Sequence, residues 1–177
     1  LCHMRIGILT FHRAYNCGAM LQAWALKTVL ERMGHSVEFP ICNFVGDSSR
    51  PLICKIPPSY KYLRWLRAFV GRLILDIKRC VLCESTIREF DNFRNVYLPE
   101  RRCQVDDFKK FYDLIIVGSD QVWNLGLTGG DTTYIEGFPG IKKIAYAASA
   151  GAYENKLKTE LFVKAIGGYE FISVREI

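Results

Sequence analysis

A strand, a polar turn, a helix and a second strand follow one another within the first 41 residues, and that order constrains the fold most. Residues Arg5 to Thr10 (RIGILT) are a short β-branched run of the kind that forms a buried strand. A polar turn covers Phe11 to Gly18. Then Leu21, Ala25, Val29 and Met33 recur every four residues, with Leu26 and Leu30 beside them, which predicts one apolar helix face. Gly34 ends that helix as a residue just past a helix C-terminus does. His35 to Ile41 reads as the second strand. Such a βαβ unit requires parallel strands and a right-handed crossover.

The alternation continues. Residues 43–59 hold Pro51, Pro57, Pro58 and several serines and read as an irregular loop. Over 60–79, Tyr62, Leu63, Leu66, Phe69, Val70, Leu73, Ile74 and Ile77 fill one side of a helical wheel, with Trp65 near its border. Further helices are expected at Ser85–Asn95, Val105–Phe111 and Glu154–Ile166. Strands are expected at Asp113–Gly118, Lys143–Ser149 and Tyr169–Val174. DLIIVG is the continuous apolar run of a strand buried on both faces. The pattern predicts a three-layer α/β fold with the first strand central and helices on both faces.

Composition removes other classes. Half of the 177 residues are apolar and 24% are charged, which argues against disorder, collagen and coiled coil. The longest apolar stretch is broken by Arg72 and Asp76, short of a membrane span. The net charge of +6 is local, because residues 61–79 carry six basic side chains against Asp76 alone. That argues against nucleic-acid binding by the whole domain. Seven scattered cysteines do not make a secreted disulfide framework and favour a cytoplasmic home. Cys80 and Cys83 lack the second ligand pair of a zinc site, and His3, His12 and His35 form no metal cluster, so neither a metal nor a cofactor is expected. The chain opens at Leu1, with Met4 the natural start, and stops after an apolar strand-like run, as a fragment of a longer protein would.

In an open parallel sheet, ligands bind outside the carboxyl ends of the strands, so the following loops hold the candidate residues. Phe11–Ala19 leads into a helix N-terminus, where free N–H groups favour an anion. It carries neither the dinucleotide glycine fingerprint nor a P-loop. Asn16 suits an N-cap, and Gly18 admits close backbone approach. The plain alternative is that Asn16 only caps while His12 and Arg13 are solvated. In Gly118–Asn124, Ser119, Asp120, Gln121 and Asn124 supply donors and acceptors for sugar hydroxyls, and Trp123 offers a flat face for a sugar ring. The plain alternative is an Asx-turn and helix cap packed by Trp123. Tyr146–Gly151 is small enough for close approach or tight packing. Arg175, at the end of the last strand, suits a carboxylate or phosphate, or an internal ion pair.

MRIGILTFHRAYNCGAMLQAWAL, DLIIVGSDQVWN, KKIAYAASAG and FISVRE resemble the successive motifs of the polysaccharide pyruvyl transferase family, in order, from about Arg5 to Glu176. GSDQVWN is the most specific of them. Residues 43–80 match no motif. The resemblance implies a single Rossmann-like domain over residues 1–177, a three-layer sandwich with a mainly parallel sheet, resembling one half of a GT-B fold. A variable loop and the basic amphipathic helix occupy about 43–80. It implies transfer of pyruvate as a ketal from phosphoenolpyruvate to a sugar of a cell-surface polysaccharide or its lipid-linked precursor.

On that reading Asn16, Gly18, Ser119, Asp120, Gln121 and Asn124 serve the acceptor, and Arg175 reaches the donor's anionic groups. A second Rossmann-like domain completes the donor site, and no catalytic acid is assigned here. The rival readings are a non-catalytic domain that binds a sugar or a partner, and a response-regulator-like or nucleotide-binding module. The last lacks the acidic and phosphate-loop signatures. The basic helix 60–79 either packs by its apolar face or docks at the inner face of the membrane.

Overall fold

The computed structural model describes residues 2–42, 84–124, 127–128, 132–136, 138, 140–151, 163 and 166–175. The chain divides into two compact units, residues 1–49 with 94–177, and residues 50–93. In the second unit the described residues, 84–93, are helical, with an exposed Arg88–Glu84 ion pair at 3.1 Å. The expected loop at 43–59, the amphipathic helix at 60–79, the Cys80–Cys83 pair and most of the expected helix Glu154–Ile166 lie outside the described residues.

The first unit is built on a parallel sheet. In chain order the elements are β1 (Arg5–Leu9), α1 (Cys17–Arg32), β2 (Ser36–Ile41), α2 (84–97), β3 (Glu100–Arg102), α3 (Phe108–Phe111), β4 (Leu114–Gly118), α4 (Thr133–Glu136), β5 (Lys142–Ala148) and β6 (Phe171–Val174). A 3₁₀ turn at Val105–Asp107 leads into α3. The six strands lie in the order β3-β2-β1-β4-β5-β6, and every pairing is parallel. This is the order of a doubly wound Rossmann-like fold, with β1 central as expected.

The central strands are apolar because both of their faces are covered. Ile6, Ile8 and Leu9 of β1 and Ile115, Ile116 and Val117 of β4 are all buried. Each such side chain contributes about 1.5–3 kcal/mol through removal from water. On one face Leu9, Ile115, Val117 and Ala145 pack with Phe108, Val122, Trp123, Tyr134 and Phe138. Phe108 and Phe138 meet at a centroid distance of 4.7 Å.

Helix α1 begins where expected but presents a different face. Asn16 caps it, its Oδ1 accepting from Gly18 N at 2.8 Å and Ala19 N at 3.2 Å. Ala19, Met20 and Ala23 are the buried residues, with Leu26 and Leu30 half-buried. Leu21, Ala25, Val29 and Met33, the expected apolar face, are exposed. Leu21 and Ala25 stand two positions on from Ala19 and Ala23, about 200° round the helix, and so face away from the buried side.

Two elements escaped the sequence reading. Strand β3 is only ERR, with no apolar signal. It pairs with β2 through a two-pronged contact, Arg101 Nε and Nη2 donating to Glu38 Oε2 and Oε1 at 2.5 and 2.8 Å. Helix α4 is a single turn, too short to show a period.

Candidate functional site at the carboxyl edge of the sheet

Strand order reverses between β1 and β4, because the chain moves from β1 to β2 on one side and reaches β4 on the other. Leu9 pairs with Val117, and Gly118 pairs with Tyr146. Thr10, Gly118 and Tyr146 therefore sit at one level, and the loops 11–18, 118–124 and 146–151 leave the same edge of the sheet. That places the first two loops on either side of the switch point, where open α/β sheets hold their ligands.

Polar groups tie these loops together. The Ser119 hydroxyl donates to Gln22 Oε1, and Gln22 Nε2 donates to Thr10 Oγ1 at 2.9 Å and to the Ala19 carbonyl at 2.9 Å. The loop after β4 is thus fastened to the first turns of α1 and to the end of β1. The loop after β5 is laced to it by backbone bonds. Trp123 N donates to Ser149 O, and Ser149 N to Asp120 O, both at 3.1 Å. Asp120 Oδ1 accepts from Gln121 N at 2.7 Å, and Asn124 Nδ2 donates to Gln121 Oε1 at 3.1 Å.

Backbone shape holds this arrangement. Gly118 has φ +121°, and a Cβ there would stand 2.1 Å from the Tyr146 carbonyl oxygen, so only glycine fits. Gly151 lies against Gln121, where a Cβ would be 2.7 Å from its Oε1. β5 shifts register between Ala145 and Ala148, with Ala147 at φ 47° inside the irregularity. A bulge at this end re-aims the side chains that face a site.

The candidate residues have different fates. Ser119, Asp120 and Gln121 are half-buried at the switch point, and Asn124 is buried behind them. Asn16 spends its carboxamide oxygen on the cap, and exposed Gly18 leaves room for it. Arg175 is exposed beyond β6, its N–H bonded to Ala148 O at 3.3 Å, two strands from β4. Trp123 is not a platform. It is buried, its indole N–H donating to Tyr134 O at 3.3 Å and its ring set edge-on to Tyr169.

His12 is not solvated either. Its ring is 3% exposed and packs 4.8 Å from the Phe39 ring. Nδ1 faces the Thr10 carbonyl and Nε2 faces Glu100 Oε1, each at 3.1 Å. Arg94 and Arg13 flank the same carboxylate at 3.6 and 3.8 Å. Partial burial pushes the Glu100 carboxyl up, but the hydrogen bond from His12 and the charges of His12, Arg13 and Arg94 outweigh it and hold it low.

Gln22, Thr10, Ser149 and Glu100 were not named from sequence. A glutamine in a second helical turn, or a glutamate that opens a short charged strand, looks solvated until the partner loop is known. A cavity of about 530 Å³ was also unforeseen. It lies beyond β2 and β3 and is lined by Arg13, Ile41, Cys42, Arg102, Cys103, Gln104 and Asp107. Among the described residues no cluster of His, Cys, Asp and Glu could hold a metal ion, and no helix is long and apolar enough to cross a membrane.

A family model for polysaccharide pyruvyl transferase matches residues 16–177. The chain belongs to the polysaccharide pyruvyl transferase family. No match was found among curated proteins or solved structures. The family match opens at Asn16, the α1 cap and the end of the first switch-point loop, and runs through the whole of the second loop and the β5 bulge. Membership of the family indicates a polysaccharide-pyruvyl-transferase-like function.

Proposed function

We propose that this domain supplies the acceptor side of a pyruvyl transfer. Phosphoenolpyruvate is protonated at its methylene carbon, and the oxocarbenium-like centre is captured by one sugar hydroxyl. A second hydroxyl closes the ring as phosphate leaves. The products are the cyclic ketal and inorganic phosphate. Such a reaction needs a site that fixes two hydroxyls of one sugar, since orientation carries much of the rate.

The observation that carries this reading is the fastening of Ser119, Asp120 and Gln121 at the switch point by Gln22, Thr10 and Ser149. Held this way, the loop offers donors and acceptors with their positions set before a sugar arrives. Asp120 is the acceptor-side carboxylate in this reading, and Arg175 meets the anionic groups of phosphoenolpyruvate. The donor side is completed by a second Rossmann-like domain, as the family resemblance implies, and the acceptor belongs to a cell-surface polysaccharide or its lipid-linked precursor.

Phosphate release tests this. The 177-residue chain, mixed with phosphoenolpyruvate and methyl hexopyranosides, should show no steady release, because the groups must be positioned from both sides. Turnover at an ordinary enzymatic rate would refute the divided site. In a two-domain member of the family, replacing the residues matching Asp120 or Arg175 with Ala should lower kcat/KM at least about tenfold, the ~1.5–3 kcal/mol of a hydrogen bond to a charged group. Unchanged kinetics with an intact fold would assign both residues to structure.

A further inference from the structure

Cys42 and Cys103 are the residues that directly follow β2 and β3. Those strands are parallel, with Ile41 paired to Arg102, so the two cysteines occupy the next paired level. The bond from Cys103 N to Ile41 O, 3.2 Å, carries the pairing up to them. Parallel neighbours stand about 4.8 Å apart, inside the roughly 4.4–6.8 Å between Cα atoms that a disulfide spans. The two thiols interact, and both cysteines line the 530 Å³ cavity with Arg13, Arg102 and Asp107. Cys42 is buried and Cys103 half-exposed, so the second is the thiol that a reagent in the cavity meets first.

We propose that Cys42 and Cys103 form a reversible dithiol–disulfide site opened to solvent by this cavity. Its reactant is a low-molecular-weight disulfide. The Cys103 thiolate attacks one sulfur of the reagent, forming a mixed disulfide and releasing one small thiolate. The Cys42 thiolate then attacks the Cys103 sulfur and expels the second. The protein gains one S–S bond and gives up two protons, and the small disulfide is reduced to two thiols. The basic lining suits an anionic reagent such as glutathione disulfide.

The surroundings set the rate. Burial raises the Cys103 thiol, against contacts with Cys42 and Arg101 that lower it, so the thiolate is the minor form at neutral pH. The buried Tyr112 hydroxyl interacts with both sulfurs and lowers the Cys103 thiol, while Asp107, which lines the same cavity, raises it. The bond would staple the carboxyl ends of β2 and β3 at the mouth of the cavity, on the side of the sheet away from β4.

Oxidised glutathione and peptide mapping decide the matter. A protein that keeps only Cys42 and Cys103, the other five cysteines changed to Ser, should lose both thiols together. A single linked peptide should join Cys42 to Cys103, and dithiothreitol should reverse it. The rate should rise about tenfold per pH unit while the thiolate is the minor form. Cys42→Ala should stop at a stable glutathione adduct on Cys103. The natural chain, oxidised and mapped in the same way, should give the same linkage, which guards against misfolding of the five-fold variant. Two separate adducts, linkage of Cys103 to another cysteine, or no reaction until urea is added would each overturn the proposal.

Discussion

At the scale of single residues, the part-buried contact between His12 and Glu100 makes the clearest demand on solution conditions. The Glu100 carboxyl is held below its ordinary value in the folded chain. A lowered carboxyl contributes stability that is present above the unfolded value and disappears as pH falls through the folded one. Stability should therefore drop below about pH 4, the carboxylate range. Glu100→Gln should cost about 1–3 kcal/mol at neutral pH, since it leaves His12 against a poorer acceptor. Its thermal midpoint should fall less steeply with acid than that of the parent. Parallel acid profiles for the two proteins would remove the pair from the account. Gly118→Ala places a Cβ against the Tyr146 carbonyl at a φ that side chains avoid, and should cost at least about 2 kcal/mol in a denaturant titration. A neutral result would mean that the loop after β4 is not held as described. At this scale the sequence was only partly legible. Asn16 reads as a cap because its chemistry is local, and it is one. For His12 the plain alternative was a solvated loop residue, and for Trp123 the sequence left a sugar platform and a packing residue both open; both side chains are buried, which is the packing alternative for Trp123. Their partners, Glu100 and Tyr134, lie far along the chain or in an element too short to foresee.

At the scale of elements, hydrophobic period located α1 but not its inner face. Leu21, Val29 and Met33 have larger side chains than Ala19 and Ala23, so a count of apolar area favours the wrong stripe. Close packing against a sheet selects small residues, and periodicity does not register that. Asn16→Ala should destabilise the unit by about 1 kcal/mol, while Asn16→Ser, which keeps a capping oxygen, should cost less than half as much. Equal losses in thermal unfolding would mean that Asn16 acts through something other than the cap. The β5 bulge gives a second test. Ala147 sits at φ 47°, where glycine is at ease and a β-branched residue is not. Ala147→Gly should keep or raise the thermal midpoint, and Ala147→Val should lower it by more than the equivalent of about 1 kcal/mol. The reverse order would contradict the bulge. Strand β3 was invisible because ERR carries no apolar signal; it is held by backbone pairing to β2, with Arg101 meeting Glu38 across the pair.

At the scale of the whole molecule, the parallel sheet and its central first strand were legible because a βαβ start followed by apolar strands leaves few right-handed arrangements. The full order β3-β2-β1-β4-β5-β6, with β3 at its edge, comes from the structure, and with it the switch point that the candidate loops share. The basic stretch 61–79 belongs to this scale too. The sequence gives it two readings: its apolar face packs against protein, or it docks on anionic membrane when the acceptor is lipid-linked, where each nearby Lys or Arg adds about 1 kcal/mol before screening. Sedimentation with anionic vesicles at low salt should show binding that weakens with salt and with Arg64, Arg67 and Arg72 changed to Gln. Absence of binding would leave packing as the role of that stretch. The central claim is that a sugar seats between β1 and β4. Amide hydrogen exchange of the chain in saturating methyl hexopyranosides tests it most directly. Protection should rise in residues 10–18 and 118–124 together, and the gain should vanish in Asp120→Ala. Protection confined to the ends of β2 and β3, or none at either loop, would contradict it.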